Sequence, residues 1–208
     1  MTKRWIDITQ PLTNEIATWP GDLPFNFKVA HTKEQTGSVN IGQITASVHT
    51  GTHADAPFHF NSSADTIDQL DVNNYIGNAK VIDVTGMDLI GREELETFNL
   101  EGVKRLLLKT KKVTNVQQFP NSIPLLRRNI GEFLQEKGIF LLGLDIPSVD
   151  DITSKELPIH HTLYQHGVSI VENLYLQDVS AGEYEMIALP LKIIGADGSP
   201  VRAVLRAL

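Results

Sequence analysis

Three of the seven histidines of this chain lie within eleven consecutive residues, together with one aspartate, in the order His49, His53, Asp55 and His59. An even distribution of seven histidines over 208 residues would place fewer than one in a segment of that length. Imidazole nitrogens and carboxylate oxygens are the ligands that Zn²⁺, Mn²⁺ or Fe²⁺ can take from a protein without cysteine. Because this chain has no cysteine, the segment is a candidate metal-binding segment.

The four-residue spacing of His49 and His53 would place both rings on one face of a helix. Gly51 and Pro57 disfavour a helix here, so we expect a loop that follows a strand ending at His49. If the chain beyond Gly51 is extended, His53 and Asp55 point to the same side.

His59 lies beyond the proline and could face the same cavity without binding a metal. The alternative is that these side chains are polar groups of a solvated surface loop, as is common for a single exposed histidine. The clustering favours a shared site over that alternative.

A second group of candidate ligands consists of His160, His161 and Glu172. Glu172 ends an apolar stretch, where a buried carboxylate without a cation nearby would be unfavourable. The alternative is a histidine that caps a helix and a glutamate on the surface. The remaining two histidines, His31 and His166, have no such neighbours and are expected to be structural or exposed.

The charge balance argues against nucleic acid as a partner. The chain has 18 basic and 25 acidic residues, which gives a formal net charge of −7. A duplex-binding protein usually needs a basic face, whereas the basic clusters here, at 109–112 and 127–128, are short.

Without cysteine there can be no disulfide, thiol nucleophile or iron–sulfur cluster. The first residues carry Asp7 where a signal peptide would need an unbroken apolar stretch. The longest apolar stretch, 139–144, is far shorter than the roughly 18 residues of a membrane helix. We therefore expect a cytoplasmic protein with no membrane partner.

The length and the absence of a linker or a repeat predict a single domain over residues 1–208. Strand-like stretches outnumber helical ones, which predicts an α/β fold whose mixed sheet has considerable antiparallel content and few helices. The stretch at 139–144 is apolar without alternation, as expected of a strand buried on both faces. Strands are predicted at 5–9, 39–48, 80–84, 103–109, 139–145, 168–172, 186–194 and 201–205, and helices at 92–98, 125–137 and 159–165.

The segment 49–60, H-T-G-T-H-A-D-A-P-F-H-F, resembles the H-x-G-T-H-x-D-x-P-x-H-F signature of the metal-dependent cyclase-like hydrolases. Further segments resemble, more narrowly, the bacterial kynurenine formamidase (arylformamidase) family within them. The resemblance runs in order over nearly the whole chain. Its other segments are L-D-I-P-S-V-D at 144–150, His160, I-V-E-N-L at 170–174, G-E-Y at 182–184, P-L at 190–191 and P-V-R-A at 200–203.

This resemblance implies a swivelling β/β/α domain that assembles as a homodimer or a larger homo-oligomer. It also implies two divalent metal ions per chain, usually Zn²⁺. One ion would be served by His49 and His53 and the other by His160, while Asp55 and Glu172 would bridge both. His59 would be the acid/base and Trp19 a substrate contact.

The activity that the resemblance implies is hydrolysis of N-formyl-L-kynurenine to L-kynurenine and formate in tryptophan degradation. A hydroxide held between two cations roughly 3.5–4 Å apart would attack the formyl carbon. His59 would protonate the departing arylamine. Trp19 offers an aromatic face for the substrate ring, although a tryptophan can equally be a core residue.

Two other interpretations of the sequence stay open. One is a sister amidase or lactone hydrolase of the same superfamily that acts on another small substrate. The other is a metal-binding module without turnover, although His59 would then be a spare base that a structural site does not need. A hydride-transfer enzyme is disfavoured because no G-x-G-x-x-G follows a predicted strand.

Overall fold

The computed structural model describes residues 4–208, and its main element is a nine-stranded sheet. The strands, in chain order, are β1 Ile6–Asp7, β2 Asn26–His31, β3 Ile41–Thr45, β4 His53–Asp55, β5 Ile76–Asp83, β6 Leu89–Ile90, β7 Arg105–Lys109, β8 Leu125–Leu126, β9 Leu141–Leu144, β10 Ser169–Glu172, β11 Gly182–Ile187, β12 Gly198–Pro200 and β13 Val204–Ala207. The α-helices are α1 Lys33–Thr36, α2 Arg92–Leu95, α3 Ile130–Glu136 and α4 Pro158–Gln165. Short 3₁₀ helices span Pro57–His59, Ile67–Gln69 and Val72–Tyr75.

The order of strands in the large sheet is β1-β13-β11-β5-β7-β9-β10-β4-β12. Neighbouring strands are parallel from β5 through β10 and antiparallel on both sides of that central part. Strands β2 and β3 form a separate antiparallel hairpin, and β6 and β8 a small parallel pair. The mixed α/β fold with few helices is therefore confirmed.

Both faces of the central strands are covered, so the sheet separates two apolar layers. Alternate leucines of β7 point to opposite sides: Leu106 and Leu108 belong to the layer that contains α3 and α4, and Leu107 belongs to the other layer. All four residues of β9 are buried. This confirms the expectation for the stretch at 139–144, because a parallel strand covered on both faces needs no polar alternation.

Several boundaries differ from the sequence prediction. The strand predicted at 186–194 is instead β11, which ends at Ile187, and the chain beyond it exposes Leu191 and Ile194. The helix predicted at 125–137 begins only at Ile130, because Leu125 and Leu126 pair with β6. Strand β2 was not predicted; its backbone pairs with β3 in a hairpin whose residues are largely exposed.

None of the helices within residues 4–208 is long and apolar enough to cross a membrane. The cytoplasmic location stays a prediction.

Candidate metal centre

The histidine-rich segment contains a buried strand where a loop was expected. Strand β4 lies between β10 and β12, and it places His53 opposite Glu172 and Asp55 opposite Ile170. The backbone groups of β4 form hydrogen bonds with a strand on each side. Its three residues can therefore be extended and fully buried. The alternation within β4 puts His53 and Asp55 on the same face.

The expectation that His49 ends a strand is wrong. Strand β3 ends at Thr45, and His49 lies in the turn that leads to β4. The backbone of Gly51 has a φ of +66°, a left-handed conformation that glycine adopts without strain. This turn brings the His49 ring back over β4.

Asp55 is the centre of the cluster. Its Oδ1 lies 3.0 Å from His49 Nδ1 and 3.3 Å from His53 Nε2, and its Oδ2 lies 3.5 Å from His160 Nε2. The side chain is almost completely buried, and Oδ2 has no hydrogen-bond partner among the described residues. A buried carboxylate oxygen without a partner is unfavourable unless a cation or a proton donor reaches it.

Glu172 lies on the other side of the same space. Its Oε2 is 3.5 Å from His53 Nε2 and its Oε1 is 3.8 Å from His160 Nε2. The Val149 backbone N–H donates to Oε1 at 2.8 Å, which fixes the carboxylate. Of the two adjacent histidines, His160 is buried and faces this space, whereas the half-buried His161 packs against the Phe60 ring.

Each of the three inner histidines has its outer nitrogen held by an acceptor. His53 Nδ1 donates to the Gly51 carbonyl oxygen at 2.8 Å, His160 Nδ1 lies 2.7 Å from Asp150 Oδ2, and His49 Nε2 lies 2.9 Å from Asp197 Oδ2. The remaining nitrogen of each ring therefore faces Asp55. Such outer acceptors set the tautomer and the orientation of metal-binding histidines.

The charges of the cluster shift the pKa values of its members. Burial lowers the pKa of His53, but hydrogen bonds to Asp55 and Glu172 outweigh this effect and raise it to about 10. Burial likewise lowers the pKa of His160, and bonds to Asp150 and Asp55 raise it to about 10. For Asp55, burial raises the pKa, but the histidine contacts hold it well below its usual range.

These residues fit divalent cations. Two sets of ligand atoms, each within 4.8 Å of one another, share Asp55: His49–His53–Asp55 and Asp55–His160–Glu172. Nitrogen and oxygen ligands of this kind suit Zn²⁺ and its neighbours in the first transition row. The unpartnered Asp55 Oδ2 lies in the second set, where a cation would satisfy it.

Sequence reasoning missed Asp150 and Asp197 as parts of the site. Asp197 Oδ2 accepts from His49 and also lies 3.3 Å from His59 Nδ1. A search for carboxylates near each candidate ligand could have found Asp150, which lies ten residues before His160. No local spacing relates Asp197 to His49, because 148 residues separate them in the chain.

His59 differs from the inner histidines in exposure and surroundings. It is exposed at the end of a 3₁₀ helix, and its ring centroid lies 4.1 Å from that of His49. Only about a third of the His59 side chain is accessible to solvent, and this partial desolvation together with the positive charge of His49 lowers the pKa of His59 below its usual value. The three residues His49, His59 and Asp197 could also hold a cation, so the geometry permits either a base or a ligand at His59.

The absence of a side chain at Gly198 leaves room for the His49 ring. A Cβ at this position would lie 2.8 Å from His49 Cε1, closer than such atoms approach, and 3.0 Å from the Ala54 carbonyl oxygen, which is unusually tight. Gly198→Ala should therefore displace the ring, cost roughly 1–3 kcal/mol of stability and weaken metal binding. Thermal unfolding and metal titration would measure both effects. At Gly86 an added Cβ meets open space but the φ of +85° is strained for alanine, so Gly86→Ala should lose stability and leave metal binding unchanged. An equal loss of metal binding in both variants would contradict the steric explanation.

A cavity of about 320 Å³ opens onto the cluster, a volume in the usual range for small-molecule sites. His49, His53, His59, His160 and Glu172 line one part of it, and Trp19 and Phe119 another. The rings of Trp19 and Phe119 pack edge to face with centroids 5.2 Å apart. The half-buried Trp19 is thus a wall of the cavity.

Known proteins resemble this chain over most of its length. The family model described as putative cyclase matches residues 6–151. Kynurenine formamidase of Bacillus cytotoxicus is 58% identical over 204 residues, which cover 98% of each chain. That of Bacillus cereus is 55% identical over 207 residues, which cover 100% of this chain and 99% of the relative.

Among solved structures, a predicted metal-dependent hydrolase from Bacillus stearothermophilus has a TM-score of 0.85 and 27% identity, with full coverage of both chains. Isatin hydrolase A from Ralstonia solanacearum has a TM-score of 0.81 and 20% identity, covering 99% of this chain and 92% of the other. The second likeness concerns the fold alone.

Proposed function

The chain belongs to the cyclase family and, within it, to the kynurenine formamidases, and from this membership we propose that it hydrolyses N-formyl-L-kynurenine to L-kynurenine and formate. The observation that carries the proposal is the convergence of three oriented imidazoles and two buried carboxylates beside an aromatic-walled cavity. Such an arrangement suits metal-assisted hydrolysis of a small aryl amide.

We further propose two divalent ions, most consistent with Zn²⁺. His49, His53 and Asp55 would hold one ion, and Asp55, His160 and Glu172 the other, with Glu172 also close enough to His53 to serve both. When bound there, such ions supply Lewis acidity, which polarises a carbonyl oxygen and makes a water molecule more acidic. The sharing of Asp55 by both sets supports a bridging role.

In this proposal His59 moves the proton. Its Nδ1 is held by Asp197, so Nε2 is the nitrogen available to the cavity. It would take a proton from the attacking water and return one to the arylamine nitrogen as the C–N bond breaks.

Asp197 would position both the His49 ligand and the His59 base. Asp197→Asn removes the negative charge that orients the two N–H groups, and we expect a loss of roughly 10–100-fold in metal affinity or activity, the usual cost of losing such a partner. Metal titration and steady-state kinetics would measure it. Unchanged values for both would show that Asp197 positions neither ring.

The aromatic wall would receive the substrate ring. The edge-to-face packing against Phe119 fixes the Trp19 indole, and a fixed ring can stack on the planar aryl group of an aryl formamide.

The decisive experiment measures metal content per chain together with hydrolysis of N-formyl-L-kynurenine, before and after chelation. We expect up to two divalent ions and activity that falls with chelation and returns when metal is restored. Full turnover by metal-free protein would refute the metal-dependent mechanism. A panel with a small lactone and a cyclic amide tests whether a sister substrate is preferred.

The assembly is also a proposal. The hairpin of β2 and β3 exposes Phe27, Val29, Ile41 and Ile44, and an isolated two-stranded hairpin is marginally stable in water. A second copy of this chain that covers the hairpin would explain these apolar side chains, and light scattering would give the mass of a homodimer or larger assembly.

The extent of the domain is a proposal too. The pairing of β1 with β13 brings the first and last strands together and supports one domain over residues 1–208.

A further inference from the structure

We propose that the cavity contains a subsite for an α-amino acid, in which Asp22 binds the ammonium group and Lys155 the carboxylate of the substrate. This inference rests on the proposed function, because it assigns the end of the substrate that lies away from the reacting amide. It makes Asp22 and Lys155 specificity-determining residues, with no part in bond breaking.

The first argument is the charge inventory of the cavity wall. Apart from the histidines and Glu172 of the candidate metal centre, the charged residues that line the cavity within the described part of the chain are Asp22 and Lys155. Neither side chain forms an ion pair or a side-chain hydrogen bond with another residue among 4–208. One acid and one base, both exposed and both unpaired among the described residues, thus lie at the rim of the same cavity.

The second argument is the position of Asp22 relative to the aromatic wall. The Asp22 backbone N–H donates to the Trp19 carbonyl oxygen at 2.9 Å, and Gly21 has a φ of +96°. Proline followed by such a glycine is typical of a type II turn, in which the first and fourth residues lie within about 7 Å of each other. The turn therefore places Asp22 next to Trp19 at the rim of the same cavity.

The third argument is the separate origin of Lys155. It lies in the loop between Asp150 and Leu157. Hydrogen bonds connect the first end of this loop to α4 and the second end to a residue within the loop. The Asp150 carboxylate accepts from the Ile159 and His160 backbone N–H groups, and the Leu157 N–H donates to Ser154 Oγ at 3.3 Å. The loop that orients the proposed metal ligand His160 thus also carries Lys155 at the cavity.

The chemistry of the two charges fits a zwitterion. N-formylkynurenine carries an aryl formamide at one end and an alanine moiety with ammonium and carboxylate groups at the other. A simple aryl formamide carries no charge and gains nothing from Asp22 or Lys155. Contacts to the ring, the ammonium and the carboxylate would also discriminate between the L and D enantiomers, because three different contacts to one stereocentre cannot all be made by its mirror image.

The test compares two substrates in the metal-loaded protein: N-formyl-L-kynurenine and formanilide, which has the aryl formamide but no amino acid. Asp22→Asn and Lys155→Met should each raise KM for N-formyl-L-kynurenine about tenfold, the effect of a hydrogen bond between charged groups, with little change in kcat. KM for formanilide should stay within about twofold. Lys155→Arg keeps the charge and should restore most of the affinity.

Matched controls are Asp88→Asn and Lys192→Met, which are exposed and do not line the cavity. Neither should change KM for either substrate. Equal effects of Asp22→Asn and Lys155→Met on both substrates, or no effect on N-formyl-L-kynurenine, would overturn the subsite.

Binding of the product L-kynurenine, measured by calorimetry, separates this inference from the proposed function. If the parent protein hydrolyses neither substrate, the proposed function fails. The subsite then stands if the two variants bind L-kynurenine about tenfold more weakly than the parent does, with unchanged binding of 2-aminoacetophenone, which lacks the amino acid. It fails if L-kynurenine binding is unchanged or if both ligands weaken alike.

Discussion

His59→Ala should retain its metal and its fold while kcat for N-formyl-L-kynurenine falls by roughly 10²–10⁴, the usual contribution of a general acid/base. The physical reason is the leaving group, because an arylamine expelled as an anion is very unfavourable and the imidazole supplies its proton. His59 is exposed and bonded to Asp197 through Nδ1, whereas the inner histidines are turned toward Asp55. Metal analysis and steady-state kinetics on the same preparation would separate the two roles.

The matched control is His31→Ala, which removes an exposed histidine of β2 outside the cavity lining and should leave kcat unchanged. If His59→Ala loses an equivalent of metal, the His49–His59–Asp197 set is a coordination site and His59 is a ligand. A rate close to that of the parent would make His59 a bystander. Either result would require another proton donor.

Asp55→Ala and Glu172→Ala should each retain less metal than His49→Ala. A carboxylate shared by two ions neutralises charge at both, whereas a terminal imidazole serves one. Asp55 lies within 3.0–3.5 Å of ring nitrogens on three histidines, and no other described residue has that position. Metal content per chain after dialysis against metal-free buffer measures the difference.

Asp55→Asn distinguishes charge from volume, because the amide keeps the shape of the side chain and loses its negative charge. It should behave like Asp55→Ala. Asp145→Asn is the matched control at another buried aspartate. The Asp145 carboxylate accepts hydrogen bonds from the backbone N–H groups of Thr110 and Lys111 and contacts none of the candidate ligands, so Asp145→Asn should lose stability but keep a normal metal content. Normal metal content in both carboxylate variants of the cluster would show that the bridging roles are misassigned.

The sequence alone determined the residue types of the site and most of the central sheet. Without cysteine, any metal must be bound by nitrogen and oxygen. The high local density of histidine at 49–59 indicates which segment would supply such ligands. The unbroken apolar stretch around β9 predicted a strand buried on both faces because burial on both sides removes the need for alternation. These are local or compositional properties, and a single sequence displays them directly.

Only the tertiary structure decided which polar residues meet. Strand β4 is buried because its backbone pairs with β10 and β12, two segments far away in the chain, and three residues carry no period that could reveal this pairing. The resemblance already named His160, but only the structure shows that α4 turns His160 and not His161 toward Asp55. Asp197 reaches His49 and His59 across about 140 residues of chain, because β12 closes the edge of the sheet beside β4. Contacts made by long-range strand pairing leave no local signal in the sequence, so the outer acceptors of the histidines become visible only once the sheet is assembled.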